Sequence, residues 1–434
     1  MTSSQTSSSR YRYFVLGVLL VASVFAFIDR QLMSILLEPI KTEFGASDTA
    51  MGFLTGLAFA LFYATLGVPV ARLADNWSRR NVLAISMVVW SAATALCGLA
   101  ASFWQLALYR FGVGIGEAGG TPPSHSLIAS YFPASERATA MGIYGTGSQL
   151  GILIGLFGGA VIAAQMGWRW AFILFGVPGV LIGALVALLI KEPPRPPPPK
   201  RSKLSADIAR LWRIPSFAAI AFATSLTSIA GFGMATWFPS FLVRVHSLSL
   251  TEAGLLLGLA GTTGALIGAV SGGVLCDRLI KKDLAWQLKL PAVGAGLSAI
   301  FLGVFLVYPE GHNTMIGEFR VPVASAFQFL GAVVSALWIG PAFAAVQTLT
   351  PAHLRSQASA LLLLLLNLIG FGIGPVLVGF LSDQLTPLFG TQAIRYAMLI
   401  TLVTVVVGSY LFWRGGAQYR HALRTNEPTH GDNL

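Results

Sequence analysis

Apolar runs of about 20 residues recur along the whole chain, and short polar stretches separate them. A run of that length crosses about 30 Å of hydrocarbon when it forms an α-helix. Twelve spans are predicted and numbered in chain order: residues 13–37, 49–70, 81–101, 104–131, 138–165, 171–190, 215–243, 251–276, 285–308, 321–349, 356–381 and 391–413. The pattern therefore predicts an all-α integral membrane protein.

A basic, proline-rich stretch interrupts the apolar pattern between the sixth and seventh spans. Such a stretch is typical of an extended linker, and its excess of lysine and arginine indicates the cytoplasmic side. The predicted parts are a disordered tail (1–12), an N-terminal six-helix bundle (13–190), the linker (191–213), a C-terminal six-helix bundle (214–413) and a cytoplasmic tail (414–434). Both termini are expected in the cytoplasm, at a bacterial inner membrane.

The composition argues against a soluble protein and against several functional classes. Hydrophobic residues make up 55% of the chain and charged residues 10%, whereas soluble domains carry about 25% charged residues. The net charge of +11 fits basic cytoplasmic loops, so no nucleic-acid partner is expected. The chain has no G-x-S-x-G, H-E-x-x-H or G-x-x-x-x-G-K-[ST] motif, and its six histidines are scattered. No enzyme, ATP-driven pump, cofactor or metal site is therefore expected.

Two pairs of charged residues lie inside apolar spans: Asp29 with Arg30 in span one, and Arg110 with Glu117 in span four. A charge at bilayer depth costs about 2.5–3.5 kcal/mol on insertion scales, so it normally faces a partner or a water-filled cavity. Arg110 and Glu117 share a helix face but stand about 10 Å apart along the axis. Each is therefore predicted to pair with span one, in a cluster of four charges.

These buried charges are the candidate functional residues. Asp29 and Glu117 are candidates for proton coupling, because a carboxyl group held between an apolar environment and an arginine can be poised to change its protonation state. Arg30, Arg110 and His125 are candidates for a substrate-headgroup site or charge network. The structural alternatives are permanent ion pairs, an arginine that braces span four, and a core histidine.

A charged turn follows span two, and a similar turn follows span eight. Charge pairs at helix ends can hold one conformation of a protein and separate in another. A cytoplasmic gate is predicted from Asp75, Arg79, Arg80, Arg137, Asp277 and Arg278. Solvated charges of basic cytoplasmic loops are the alternative interpretation.

Two further patterns concern helix geometry. Gly151, Gly155 and Gly159 in span five have the small-xxx-small spacing that lets another helix approach closely. Pro122 and Pro123 predict a kink in span four, because they remove backbone donors from the helix.

At these motifs the chain resembles the major facilitator superfamily over essentially its full length. The turn with Asp75, Arg79 and Arg80 looks like that family's signature loop, and Arg110 matches its span-four arginine. Within the superfamily the spinster type is most similar, on Phe27-Ile28-Asp29-Arg30 in span one, Trp90-Ser91-Ala92-Ala93-Thr94 in span three and Gly114-Ile115-Gly116-Glu117-Ala118 in span four. The anion:cation symporter group also uses an Asp-Arg pair in span one and a glutamate in span four.

The resemblance implies two six-helix halves related by pseudo-two-fold symmetry, with a central cavity between them. It also implies a proton-coupled secondary transporter that moves a sphingolipid- or lysophospholipid-like substrate by alternating access. The charge distribution fits an amphiphile, since spans one and four bring charges into the membrane, whereas spans seven, eight, ten and eleven offer almost no charge and include aromatic residues. An organic-anion/proton symporter is the alternative function, and a monomer is expected.

Overall fold

The computed structural model describes residues 9–194, 204–351 and 354–425. These residues are mostly helical and include one antiparallel hairpin, formed by β1 (Asn313–Ile316) and β2 (Phe319–Pro322). The helices are α1 (Ser9–Ile35), α2 (Leu37–Phe44), α3 (Asp48–Gly52), α4 (Ala58–Asn76), α5 (Arg79–Cys97), α6 (Phe103–Glu117), α7 (Thr121–Tyr131), α8 (Ala134–Leu153), α9 (Gly159–Met166), α10 (Trp168–Leu189), α11 (Leu204–Trp212), α12 (Pro215–Arg244), α13 (Leu250–Leu256), α14 (Thr262–Leu279), α15 (Trp286–Val307), α16 (Ser325–Ser335), α17 (Ile339–Leu349), α18 (Arg355–Leu365), α19 (Gly372–Phe389) and α20 (Ala393–Thr425).

These helices account for the twelve predicted spans. Spans one, three, six, seven, nine and twelve are single helices, namely α1, α5, α10, α12, α15 and α20. Each of the other six combines two helices: α3 with α4, α6 with α7, α8 with α9, α13 with α14, α16 with α17, and α18 with α19. The predicted all-α, twelve-span fold class is confirmed.

Within the described ranges, ten helical segments are long and apolar enough to cross a membrane. Span four is not among them, because residues 118–120 break it between α6 and α7. Pro122 and Pro123 lie in the first turn of α7, where the backbone N–H groups have no partner within the helix. The predicted kink is thus present, and one segment, Gln357–His421, contains spans eleven and twelve together.

The ends of several predicted parts differ from the structure. Helix α1 begins at Ser9, inside the predicted disordered tail, and α20 continues to Thr425, inside the predicted polar tail. The linker contains α11, which buries the side chain of Leu211 completely. The extension of α20 likewise buries Tyr419. Packing of these side chains explains why polar segments form helices here. The predictions for residues 1–8, 195–203 and 426–434 lie outside the described residues.

A π-helical turn interrupts spans two, five, eight and eleven, at residues 53–57, 154–158, 257–261 and 366–371. These spans are the middle helix of each successive group of three. Such turns are rare in general and often occur near functional sites. Their recurrence at equivalent positions agrees with the internal repetition that the two similar charged turns indicate, and with the nested repeats of secondary transporters.

The chain divides into two compact units. The first comprises Met1–Pro199 with Thr236–Gly258, and the second comprises Lys200–Ala235 with Leu259–Leu434. The end of α12 and all of α13 therefore belong to the first unit, where the Ser34 hydroxyl donates to the Thr236 carbonyl at 2.8 Å. In the second unit, α11, α12, α15, α17, α18 and α20 surround a core that includes Phe217, Phe412 and Tyr419.

Span five packs on α1 through its glycines. A Cβ atom added at Gly151 would lie 2.6 Å from the Phe27 Cβ, and one at Gly155 would lie 2.8 Å from the Gln31 Cβ. Real Cβ atoms do not approach each other so closely, so only glycine allows this separation of the helices. The close approach predicted from the glycine spacing is confirmed, and it fixes the part of α1 that carries Asp29 and Arg30.

Replacing Gly155 by alanine is expected to lower the melting temperature by several degrees. The added methyl group would overlap α1, and overpacking of this kind typically costs about 1–3 kcal/mol. Gly145→Ala is the matched control, because a Cβ at that position of α8 meets nothing within 4 Å. Its melting temperature should stay the same or rise, since alanine favours helix over glycine by about 1 kcal/mol. Equal melting temperatures for the two variants would contradict the packing described here.

Candidate functional site

Asp29 on α1 and Arg110 on α6 form a fully buried ion pair. The Arg110 Nη1 donates to Asp29 Oδ2 at 2.7 Å, and the two side chains are 1% and 3% exposed, respectively. The second oxygen, Oδ1, accepts a 2.5 Å hydrogen bond from the hydroxyl of Thr94 on α5. Both carboxylate oxygens of Asp29 are therefore held by strong donors from two neighbouring helices.

Arg30 and Glu117 form a second pair between the same two helices. The Arg30 Nε and Nη2 both reach Glu117 Oε2, at 2.7 and 2.6 Å. Three aromatic rings surround the guanidinium group, with centroids 5.3 Å (Phe27), 5.0 Å (Phe59) and 5.2 Å (Tyr63) from its carbon. The Arg30 side chain is 18% exposed, whereas Glu117 is 1% exposed. Arg30 is thus the most exposed of the four charged side chains.

The two carboxylates differ in how completely they are hydrogen-bonded. Asp29 uses both oxygens, but Glu117 uses Oε2 only, and its buried Oε1 has no hydrogen-bond partner among the described residues. A buried carboxylate oxygen without a donor is poorly compensated for the loss of water. Addition of a proton at Oε1 would relieve this cost without removing the two hydrogen bonds at Oε2.

Close helix contacts hold span four against spans two and three. A Cβ atom added at Gly114 would lie 2.9 Å from the Phe59 carbonyl oxygen, and one at Gly116 would lie 2.7 Å from the Trp90 Cβ. These glycines bring α6 to the backbone of α4 and α5. The glycine-rich sequence around Glu117 therefore holds α6 close to α4 and α5, which carry Phe59 and Thr94, two residues in contact with the charged cluster.

The structure brings together four of the five residues predicted for proton coupling and charge binding. The prediction that Arg110 and Glu117 pair with span one rather than with each other is confirmed. His125 lies apart from the cluster, with its ring 5.3 Å from that of Tyr144. The sequence analysis missed the contributions of Thr94, Phe59 and Tyr63. The spacing of Phe59 and Tyr63, one helix turn apart on span two, was the available signal.

The predicted gate residues after span two contact the beginning of the linker. Arg79 is buried and donates from Nε to Glu192 Oε1 at 2.8 Å, and from Nη1 to the Ser130 hydroxyl at 2.7 Å. Glu192 Oε2 also accepts from the Arg80 backbone N–H and the Ser78 hydroxyl, both at 2.9 Å. Glu192 therefore anchors the start of the linker on the turn between α4 and α5.

The other predicted gate residues make different contacts. Arg137 donates to the carbonyl of Ala129 at 2.8 Å. Asp277 and Arg278 are exposed near the end of α14. The side chain of Asp75 lies outside the described part of the structure.

The hydrogen bonds at Glu192 also set its protonation. Burial alone would raise the pKa of this carboxyl group, but the donors from Arg80, Arg79 and Ser78 outweigh burial, and the pKa lies below its ordinary value of 4.5. The carboxylate is accordingly charged at neutral pH, when it anchors the linker.

A second charge cluster lies just after span one, in α2 and at the start of α3. Arg244, the last residue of α12, donates to both oxygens of Asp48 at 2.7 Å and to Glu38 Oε1 at 2.7 Å. Lys41 also contacts Asp48, at 2.5 Å, and the Arg244 guanidinium lies 5.6 Å from the Trp237 ring centroid. This cluster ties α2 and α3 to α12 within the first unit. No pattern in the sequence indicated that Arg244 pairs with these acidic residues.

Within the described ranges, no group of three or more His, Cys, Asp or Glu side chains comes together that could hold a metal ion.

Comparison with known proteins shows the class to which this fold and site belong. The chain matches the Major Facilitator Superfamily over residues 19–371. A crystal structure of a bacterial homologue of the human lysosomal transporter spinster, inward-facing and unoccupied, has a TM-score of 0.83 and 27% identity, and the match covers 96% of this chain and 99% of that one. The chain therefore belongs to the Major Facilitator Superfamily, and its resemblance to the spinster type is confirmed.

Two relatives extend the comparison. An MFS-type efflux pump of Mycolicibacterium smegmatis is 34% identical over 414 residues, which are 95% of this chain and 94% of that protein. A probable sulfoacetate transporter of Cupriavidus necator is 29% identical over 358 residues, covering 76% of this chain and 79% of that protein. Family and fold together define a multi-pass membrane transporter of a small molecule, rather than an enzyme.

Replacing Arg244 by glutamine is expected to destabilise the first unit by about 3 kcal/mol. Removal of one partner from a buried ion pair leaves an uncompensated charge and typically costs about 3–5 kcal/mol; the low end applies because Lys41 still neutralises Asp48. Arg395→Gln is the control, since its partner Glu310 is 43% exposed and exposed pairs contribute less than about 1 kcal/mol. The melting temperatures of Arg244→Gln and Arg395→Gln are measured against that of the wild type. A similar decrease in both variants would contradict a special role for Arg244.

Replacing Glu192 by glutamine is expected to lower the melting temperature at neutral pH but not at strongly acidic pH. Because the folded pKa lies below 4.5, the stabilisation by the carboxylate is complete above that pH and is lost as the pH falls through the folded value. The difference in melting temperature between variant and wild type, measured from pH 7 down to pH 3, should therefore shrink below about pH 4.5. Glu318→Gln, in the exposed turn of the hairpin, should show no such difference at any pH.

Proposed function

We propose that this protein is a proton-coupled secondary transporter that moves an amphipathic, lipid-like substrate with an anionic headgroup by alternating access. The observation that carries the proposal is the Arg30–Glu117 pair, in which a partly exposed arginine is bound to a buried carboxylate with one unused oxygen. Asp29 and Arg110 support this pair from the adjacent positions of the same two helices. The spinster homologue with the same fold agrees with this assignment, and Glu117 is the proton site that the sequence predicts in span four.

Glu117 is the proton carrier in this proposal. Its Oε1 has no donor among the described residues, so a proton can be added there while Arg30 remains near Oε2. The neutral carboxyl group attracts the guanidinium much less strongly than the carboxylate does, because the charge–charge term is lost in a medium of low dielectric constant. Protonation of Glu117 therefore weakens the hold on Arg30.

Arg30 is the headgroup-binding residue. Once its bond to Glu117 weakens, the guanidinium can donate two parallel hydrogen bonds to a phosphate, sulfonate or carboxylate group. A proton on Glu117 and an anion on Arg30 then occupy the site together, with the same total charge as the empty ion pair. Coupling follows from this compensation, because either ligand alone leaves one buried charge unpaired.

Asp29 has a different role from Glu117, although each is a carboxylate inside a membrane span and each pairs with an arginine. Both Asp29 oxygens accept strong hydrogen bonds, from Thr94 and Arg110, whereas Glu117 leaves one oxygen without a donor among the described residues. In the proposal it holds Arg110 and fixes α1 against α5 and α6. Arg110 completes the charge network, while His125 remains a candidate relay outside the four-charge cluster.

The amphipathic class of substrate rests on the distribution of residues between the two halves of the sequence. Spans seven, eight, ten and eleven carry one charged residue, Glu252, in the first turn of α13. Spans seven, ten and eleven contain aromatic residues that can contact an acyl chain, and the four spans provide no second cation for a small dianion. The gate is proposed to use the charged ends of spans two, four and eight, with Glu192 as an additional member, on the cytoplasmic side.

Organic-anion/proton symport is the second candidate. The relative described as a probable sulfoacetate transporter favours it, and the Arg30–Glu117 chemistry serves a small anion equally well. The two candidates differ in the part of the substrate beyond its anionic group.

The test uses the purified protein in liposomes with an imposed pH gradient. Uptake of a lysophospholipid and of sulfoacetate should distinguish the two candidates: gradient-driven movement of the lysolipid alone supports the first, and of sulfoacetate alone overturns it. Glu117→Gln should lose about tenfold or more of gradient-driven transport, because a permanently neutral side chain cannot carry a proton. Asp29→Asn should additionally lower the melting temperature, since it leaves the buried Arg110 unpaired.

Glu318→Gln is the control for removal of a carboxylate outside the membrane spans and should transport as the wild type does. Full gradient-driven transport by Glu117→Gln would overturn the coupling role of this residue.

A further inference from the structure

The last helix does not stop at the end of the apolar span. Helix α20 continues to Thr425, and its extension packs on the beginning of α15. The buried Tyr419 hydroxyl donates to Gln287 Oε1 at 2.5 Å. A Cβ atom added at Gly416 would lie 3.1 Å from the Ala285 carbonyl oxygen and 3.3 Å from the Lys289 Cγ. A glycine at this position therefore lets α20 lie directly against the aliphatic stem of Lys289.

This packing collects cations at one end of the second unit. Lys289 and Arg420 both contact Asp283 at 3.4 Å, and Arg414 lies at the point where the apolar part of α20 ends. Lys281 and Lys282, in the connection between α14 and α15, are exposed beside Asp283 in sequence. The basic cluster is defined as Lys281, Lys282, Lys289, Arg414 and Arg420. Lys289 and Arg420 share one carboxylate, Asp283, and Lys281, Lys282 and Arg414 have no ion pair among the described residues, so most of the charge of the cluster is uncompensated there.

Aromatic rings hold two of these cations in place. The Lys289 ammonium lies 5.5 Å from the Trp413 ring centroid and 6.0 Å from that of Trp286. The Arg414 guanidinium lies 5.8 Å from the Tyr410 centroid. Trp413 is 50% and Tyr410 56% exposed. Amphipathic rings beside cations at a helix end are typical of the level where lipid headgroups meet the hydrocarbon.

We propose that the basic cluster is a binding site for an anionic membrane phospholipid. The cations supply donors for the headgroup phosphate, and the exposed rings of Tyr410 and Trp413 contact the glycerol and the upper acyl chain. Basic pockets between spans at this membrane level attract such headgroups, with each lysine or arginine adding to the attraction. Neither the four-charge cluster nor the transported substrate is involved, so this site is independent of the proposed function.

Binding of the lipid would connect two parts of the second unit. A phosphate held by Lys289 and Arg414 bridges α15 and α20, and it neutralises the repulsion among the cations of the cluster. The bound protein should therefore be more stable than the free one, through preferential binding of the lipid to the folded state. The connection between α14 and α15 ends at this point and would be held more firmly as well.

The test is a titration of the detergent-purified protein with phosphatidylglycerol, using native mass spectrometry to count retained lipids and thermal melting to follow stability. Phosphatidylglycerol should bind and raise the melting temperature, and phosphatidylcholine should do so much less. Each cation removed from the cluster should weaken the apparent affinity about fivefold. The Lys289→Gln/Arg414→Gln double variant should therefore lose most of the binding, and Lys289→Arg should retain it.

The control replaces two cations elsewhere, Arg169→Gln with Arg395→Gln, whose partners Glu43 and Glu310 are exposed. Trp413→Leu is compared with Trp104→Leu, because Trp104 is 75% exposed on α6 and away from the cluster. The proposal predicts that only the cluster variants lose binding. Equal losses in the controls, or unchanged binding by the double variant, would overturn it. Saturating stabilisation by glycerol phosphate alone would also overturn it, because the ligand would then be a free phosphate rather than a lipid.

Discussion

The four-charge cluster between α1 and α6 depends on one constraint: a charge inside the bilayer must be compensated by the protein. Two ion pairs satisfy that constraint, Asp29 with Arg110 and Arg30 with Glu117. Helix α1 contributes the acid of one pair and the base of the other, and so does α6. The arrangement requires the two helices to be held at a fixed distance and rotation. The glycines of span five set the position of α1, and Gly114 and Gly116 set that of α6. The close contacts at these glycines therefore hold both charge-bearing helices in position.

The two buried carboxylates, Asp29 and Glu117, differ in how many of their oxygens accept hydrogen bonds. Asp29 is held at both oxygens and Glu117 at one. A group that must change its protonation state has to be less well compensated than a group that only holds its neighbours. In the proposed mechanism, the Asp29–Arg110 pair holds the helices and the Arg30–Glu117 pair responds to a proton, although the same two helices carry both pairs.

The sequence was sufficient for the fold class because apolar length is a strong signal in a membrane, where only helices with satisfied backbone groups can cross. It was also sufficient for the pairing of spans one and four, since Arg110 and Glu117 are too far apart to neutralise each other. It could not show that Thr94 supports Asp29, because a threonine on an apolar helix carries no such signal. The partner of Arg79 was equally hidden: Glu192 lies 113 residues away, and only the folded chain brings them together. Arg244 and Asp48 show the same limit at the other end of the spans.

The π-helical turns have a consequence for how the helices keep their faces aligned. Four residues of an α-helix turn slightly more than once, so positions spaced by four drift by about 40° around the axis. In span five the turn at residues 154–158 is wider, and it offsets this drift. Gly151, Gly155 and Gly159 all face α1, on both sides of this turn. A π-helical turn contains one residue more than an α-helical turn, so the span holds an extra residue here while the glycines on both sides of the turn still face α1.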